Sequence, residues 1–294
     1  MVRCHHEWIG VPGPRERGPQ VRAVDRLGAW VLGGVRTAYL LVGFLYLSAK
    51  MLWVGRHQGP QEVLRQVLLQ VYFTGVQGVA PVAGLAVLIG FLVMAHAFAA
   101  VGRLAGGEEL GQLIAWVVLG ELGPLLTAGV VIVRSVTAMA AELGLMRVQR
   151  EIEALEVMGI SPVLHLVTPR LVGGLAALLA LNVVFAGVAV ATGLAVAAWL
   201  PEGAPAAMLS AVLGALTPER FVALAGKVVV GGVGVLVIAC YHGMEVTGSP
   251  TEVPVAVSRA ALRALVFLVV WHAVVSFGAL GACLLYTSPS PRDS

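Results

Sequence analysis

Residues 171–200 read LVGGLAALLALNVVFAGVAVATGLAVAAWL, and no formal charge falls between Arg170 and Glu202. A bilayer's hydrocarbon core is about 30 Å thick, a distance that takes roughly 20 apolar residues as helix. The stretch is therefore long enough to cross once. In lipid, every backbone amide must be satisfied within the segment or within a closed barrel. Gly, Ala, Leu and Val without strand alternation favour the helix over the barrel. Two further stretches are equally free of charge, between Arg65 and Arg103 and between Arg263 and Arg292. The 294-residue chain is 59% hydrophobic and only 12% charged, against about 25% charged for a soluble domain. Its mean hydropathy is +0.91. The chain reads as an all-α integral membrane protein.

Working outward, apolar segments fall at about 75–101, 110–141, 164–200, 221–243 and 260–285. An earlier one, 29–53, is interrupted by Arg36 and has Lys50 near its end, a pattern that suits a helix lying in the membrane interface. Residues 1–28, rich in Pro, Gly and Arg, read as a disordered basic N-terminus, with one membrane domain over 29–285. The beginning lacks the short apolar core of a cleavable signal peptide. Residues 286–294 break abruptly from an apolar helix and read as a non-native tail. Cys4, Cys240 and Cys283 lie far apart, without metal spacing or a disulfide framework. A net charge of +3 is too small and too scattered to imply nucleic acid. No phosphate-binding glycine loop follows a strand, since Gly231–Gly234 sits inside an apolar helix. Those glycines, Gly173, Gly174 and Gly187 are expected to allow close helix packing.

Charge sets the orientation. Arg3, Arg15, Arg17, Arg22, Arg26, Arg36, Lys50, Arg56 and Arg65 crowd the N-terminal part. With that part cytoplasmic, five crossings put 142–163 and 244–259 inside and the connections 102–109 and 201–219 outside. Arg147, Arg150, Arg170, Arg259 and Arg263 then join the inner side, and Arg103, Arg220 and Lys227 mark the outer edge. The asymmetry agrees with the positive-inside rule.

Two features invite a functional reading. Within Glu142–Gly159, Leu145, Val148, Ile152 and Leu155 recur at helical spacing, with Arg147, Arg150 and Glu151 on other faces. Such a helix could rest its apolar face on headgroups, on its own bundle, or in the groove of a soluble partner. The second is Glu121, beside the Gly123–Pro124 pair, with Arg134 further along the same segment. A charge deep in a membrane helix costs several kcal/mol, so it normally faces a cavity or a partner, unless it lies near an interface. Thirteen residues of helix separate the two by about 20 Å, too far for an ion pair. Glu121 could equally be the proton or cation site of an ion-gradient-driven secondary transporter or channel.

The run Glu121-Leu122-Gly123-Pro124-Leu125-Leu126-Thr127-Ala128, then Arg134, Ala141–Gly144, Met146–Val148, Ile152–Pro162 and Pro169-Arg170, resembles the MlaE-type permease family. The resemblance covers roughly residues 63–281. It implies an inner-membrane homodimer of five-span subunits, each with an interfacial N-terminal helix. It implies a cytoplasmic coupling helix near Glu142–Gly159, including Met158, that docks on a separate ABC ATPase subunit. ATP and Mg belong to that subunit, and this chain is expected to bind no cofactor and to catalyse no reaction. A periplasmic MCE-domain protein would receive or deliver phospholipid or a related lipid, with Glu121, Pro124 and Arg134 beside the lipid cavity. The chain departs from the family at Gly120, where some members carry Arg, at Arg150 on the coupling helix, and at Pro250 and Pro254.

Overall fold

The computed structural model describes residues 60–101, 107–199 and 204–286. The basic N-terminus, the interfacial helix expected over 29–53 and residues 287–294 of the tail lie outside the described residues. Among the described residues all regular structure is helical. In chain order it comprises α1 Leu64–Ala99 and α2 Glu108–Val148, and a short α3 Glu151–Val157. Next come α4 Val163–Trp199 and the 11-residue α5 Pro205–Ala215. The chain closes with α6 Pro218–Met244 and α7 Glu252–Gly278. The five long helices, α1, α2, α4, α6 and α7, each have the length and apolarity to cross a bilayer.

Helix α2 is the centre of the bundle and touches each of the other four spans, while α1 lies on α4 and α6 on α7. Burial follows from that position. The most apolar stretches of α2 and α6 are each 44% buried, against 28% for α1 and 22% for α7. Helix α1 turns Leu68, Phe73, Val87, Leu88 and Phe91 outward, an apolar face that suits lipid. Close contact between α1 and α4 depends on a missing side chain. A Cβ on Gly173 would sit 2.7 Å from the carbonyl oxygen of Val67. Gly187, expected in the same role, faces open space instead.

Three sequence expectations need correction. The connection at 201–219 contains a helix, because Pro205 stands in the first turn of α5, where its lost N–H has no helical partner to miss. Pro254 is likewise tolerated near the start of α7, so that helix begins at Glu252, well before 260. The largest correction concerns 142–159. Hydropathy ends the second span near residue 141, but good helix formers carry α2 on to Val148. The chain then breaks: Arg150 adopts a left-handed conformation, φ 59°, and α3 starts afresh at Glu151. The single amphipathic helix read from the spacing is therefore two helices with a corner between them, and one continuous apolar stripe does not exist.

Candidate functional site

The first site lies where α2, α6 and α7 meet. Glu121 lies near the end of an under-wound π-helical stretch, Ala115–Leu122, within α2. Such bulges recur at functional positions. The Glu121 Oε2 atom accepts from Lys227 Nζ of α6 at 2.6 Å and from Ser276 Oγ of α7 at 2.8 Å. Lys227 Nζ also donates to Ser276 Oγ at 3.0 Å, so acid, amine and hydroxyl form a closed triangle. The Lys227 side chain is 5% exposed and that of Glu121 44%. The amine is thus enclosed while the carboxylate keeps an open side.

Pro124 explains part of this geometry. It has no amide hydrogen to give the carbonyl four residues back, which belongs to Gly120. Lys227 Nζ lies 3.4 Å from that Gly120 oxygen. The ammonium thus serves an acceptor that proline leaves open. The indole Nε1 of Trp271 donates to the Lys227 carbonyl at 3.0 Å, which ties α7 to the same turn of α6. Glu121 therefore has the partner that its cost in lipid demands.

Lys227 corrects the sequence reading, which set it at the outer edge. The residue lies well inside α6 and is buried. The desolvation argument applied to Glu121 applies equally to a lysine within an apolar helix, and pairing the two would have followed from it.

Arg134 sits in a second π turn of α2, Ile132–Val136. Its guanidinium donates to the backbone carbonyl of Gln77 on α1 and, at 3.3 Å, to the Gln77 side chain. Nearer the end of the bundle that carries α3, Arg170 of α4 donates from Nη2 to Glu142 Oε2 of α2 at 3.0 Å. Between these pairs, α1, α2 and α4 enclose a cleft of about 430 Å³. Gln70, Thr74 and Ser135 add polar groups to its wall, and Leu69 and Phe73 add apolar ones. The spacing along α2 kept Glu121 and Arg134 about 20 Å apart, and the structure gives them different partners: Arg134 lines this cleft together with Glu142 and Arg170.

The residues expected to couple outward divide in two. Ile152 is fully buried against the bundle. Leu145 is exposed on α2, and Leu155 is intermediate. The outward apolar surface lies further on, with Val157 89%, Met158 63% and Ile160 42% exposed. Gly159, φ 75°, turns the chain after α3.

These features define a polytopic α-helical membrane protein with charged side chains paired between its spans. Residues 67–277 match the family model described as Permease MlaE, and the chain belongs to that family. It is a multi-pass inner-membrane protein. It is 28% identical over 121 residues to the intermembrane phospholipid transport system permease protein MlaE of Haemophilus influenzae, covering 41% of this chain and 46% of that one. It is 30% identical over 178 residues to the chloroplastic protein Trigalactosyldiacylglycerol 1 of Arabidopsis thaliana, covering 59% and 50%. A probable ABC transporter permease protein, slr1045 of Synechocystis, is 29% identical over 168 residues, covering 57% and 64%. The chain spans about half the length of the first two of these relatives.

Proposed function

We propose that this chain is the membrane-spanning permease subunit of an ABC transporter that moves phospholipid or a related lipid between the inner membrane and the periplasm. It acts as a homodimer, takes its energy from a separate ATPase that holds ATP and Mg, and exchanges lipid with an MCE-domain protein. The observation that carries this reading is the corner at Gln149–Arg150. It projects α3 from the end of the central helix α2, and α2 contacts every other span. A push on α3 therefore acts on the helix that carries Glu121 and Arg134.

The orientation follows from charge. Arg65, Arg147, Arg150, Arg170, Arg259 and Arg263 lie at the α3 end, whereas Lys227 no longer counts as an outer-edge charge. That imbalance supports a cytoplasmic location for α3 and, with it, for the N-terminal side of α1. The docking surface is the exposed Val157, Met158 and Ile160, with the acidic Glu151, Glu153 and Glu156 around them. This replaces the stripe read from the spacing, because Ile152 is occupied by the bundle. A carboxylate held at 2.6 Å by an ammonium is poorly suited to serve as the free cation or proton site of an ion-driven transporter.

The test is reconstitution. Proteoliposomes holding the chain and its ATPase should move fluorescent phospholipid to an acceptor only with ATP. Transport by the chain alone along an imposed proton or sodium gradient would favour the ion-driven class.

A further inference from the structure

Helix α5 has the length of half a span. Its 11 residues rise about 16 Å, against the roughly 30 Å of hydrocarbon that a crossing helix must cover. Its composition is nevertheless that of a crossing helix, since no formal charge falls between Glu202 and Glu219. Its one hydroxyl, Ser210 Oγ, donates to the Ala207 carbonyl of the same helix at 2.8 Å, so no side chain of α5 needs water.

One face of α5 is taken up by the bundle. Met208 and Val212 are buried, and a Cβ on Gly111 of α2 would stand 2.6 Å from the Met208 carbonyl oxygen. Met208 Cε would also meet a Cβ on Gly193 of α4 at 3.2 Å. Gly193 precedes Trp199, where α4 ends, by a helical rise of about 9 Å. Helix α5 therefore lies beside the ends of the spans and not on top of them. The other face is open and apolar. Leu209, Leu213 and Leu216 are 40%, 61% and 41% exposed, at spacings of four and three that keep them on one side. Trp116, Trp199 and Phe221 are exposed at the same end of the bundle, and aromatic rings collect where hydrocarbon meets headgroups. Glu108 and Glu109 open α2, and Glu219 opens α6. These exposed acids mark the water beyond.

We infer that α5 is a half-helix embedded in the membrane leaflet opposite α3, with Leu209, Leu213 and Leu216 among the acyl chains. An uncharged leucine face set below the ends of the spans meets the same hydrocarbon that the spans meet. Helix α5 also touches Ala115–Leu122, so the leaflet bears on the stretch of α2 that holds Glu121. The inference stands on the packing of α5 and is independent of what the protein transports.

The test uses the full chain in phosphatidylglycerol vesicles, carrying Leu213→p-benzoylphenylalanine as a photoreactive probe, with mass spectrometry of the adducts. Acyl-chain adducts should form at a yield comparable with that of Leu88→p-benzoylphenylalanine on the outward face of α1. The yield should be several-fold above that of Glu219→p-benzoylphenylalanine. Should the Leu213 variant not fold, Leu209→p-benzoylphenylalanine reads the same face. The probe is also irradiated in native membranes, where lipid should remain the main adduct. Cross-links to a second copy or to another protein in place of lipid would overturn the inference, because the face would then be a subunit interface. Absence of adducts from α5 while the Leu88 probe labels would also overturn it, since the helix would then stand in water.

Discussion

Lys227 and Glu121 stand 106 positions apart in sequence and meet at 2.6 Å inside the bundle. The two ends of this contact are unequal, because the amine is enclosed and the carboxylate is partly open. Removing the acid leaves a buried ammonium with only Ser276 Oγ and the Gly120 carbonyl, whereas removing the amine leaves a carboxylate that can reach water or headgroups. Glu121→Gln should therefore destabilise more than Lys227→Met. A thermal-unfolding cycle in detergent should give a coupling of about 1–3 kcal/mol between them, below the roughly 3–5 kcal/mol for breaking a fully buried pair. Additive effects would mean that the contact contributes nothing.

Arg150 supplies a second test. A side chain at positive φ is strained, and glycine adopts that conformation freely. Arg150→Gly should keep the corner and raise stability or leave it unchanged, within about 1 kcal/mol. Arg150→Val should lower it, since a branched Cβ resists the left-handed region. Melting temperatures of the two variants in the same detergent would decide.

On α3 the same substitution should do opposite things at neighbouring positions. Ile152→Asp buries a charge in the bundle, and should reduce the yield of folded, monodisperse protein. Met158→Asp alters an exposed site. It should leave gel filtration unchanged while releasing the ATPase on copurification. Undiminished ATPase recovery with Met158→Asp would move the docking surface elsewhere.

The spans were legible because length and apolarity dominate the energetics of a chain in lipid. Their ends were less so. Hydropathy drops at Glu142 while helix propensity does not, so α2 outlasts its apolar segment. The corner at Arg150 has no glycine or proline to announce it, and a stripe of Leu145, Val148, Ile152 and Leu155 looks continuous on paper. At the candidate site, Glu121 stood out as one acid in an apolar run. Its partner did not, because counting Lys227 toward the sum of outer charges hid its depth in α6. The cleft arginines were visible one by one, but which helices bring Arg134 and Arg170 to one wall is a tertiary fact that periodicity does not carry.

Packing of α1 on α4 gives another expectation. Any Cβ at Gly173 meets the Val67 backbone oxygen at 2.7 Å, and backbone cannot swing aside as a side chain can. Gly173→Val should push α1 away and cost about 1–3 kcal/mol. Gly187→Ala, with nothing within 4 Å of its Cβ, should be neutral or slightly stabilising. Similar losses at both positions would show that helix propensity, and not contact, sets the cost.

Orientation can be read chemically in intact cells. Gln149 is exposed at the corner between α2 and α3, and Glu219 is exposed in the first turn of α6 at the opposite end of the bundle. With Cys4, Cys240 and Cys283 replaced by serine, Gln149→Cys should resist a thiol reagent that cannot cross the inner membrane, and should react once the cells are opened. Glu219→Cys should react without opening. The two positions must give opposite answers, because α4 alone carries the chain across between them, once. If Gln149→Cys reacts in closed cells and Glu219→Cys does not, the arginine-rich end faces outward, and α3 is beyond the reach of any cytoplasmic ATPase.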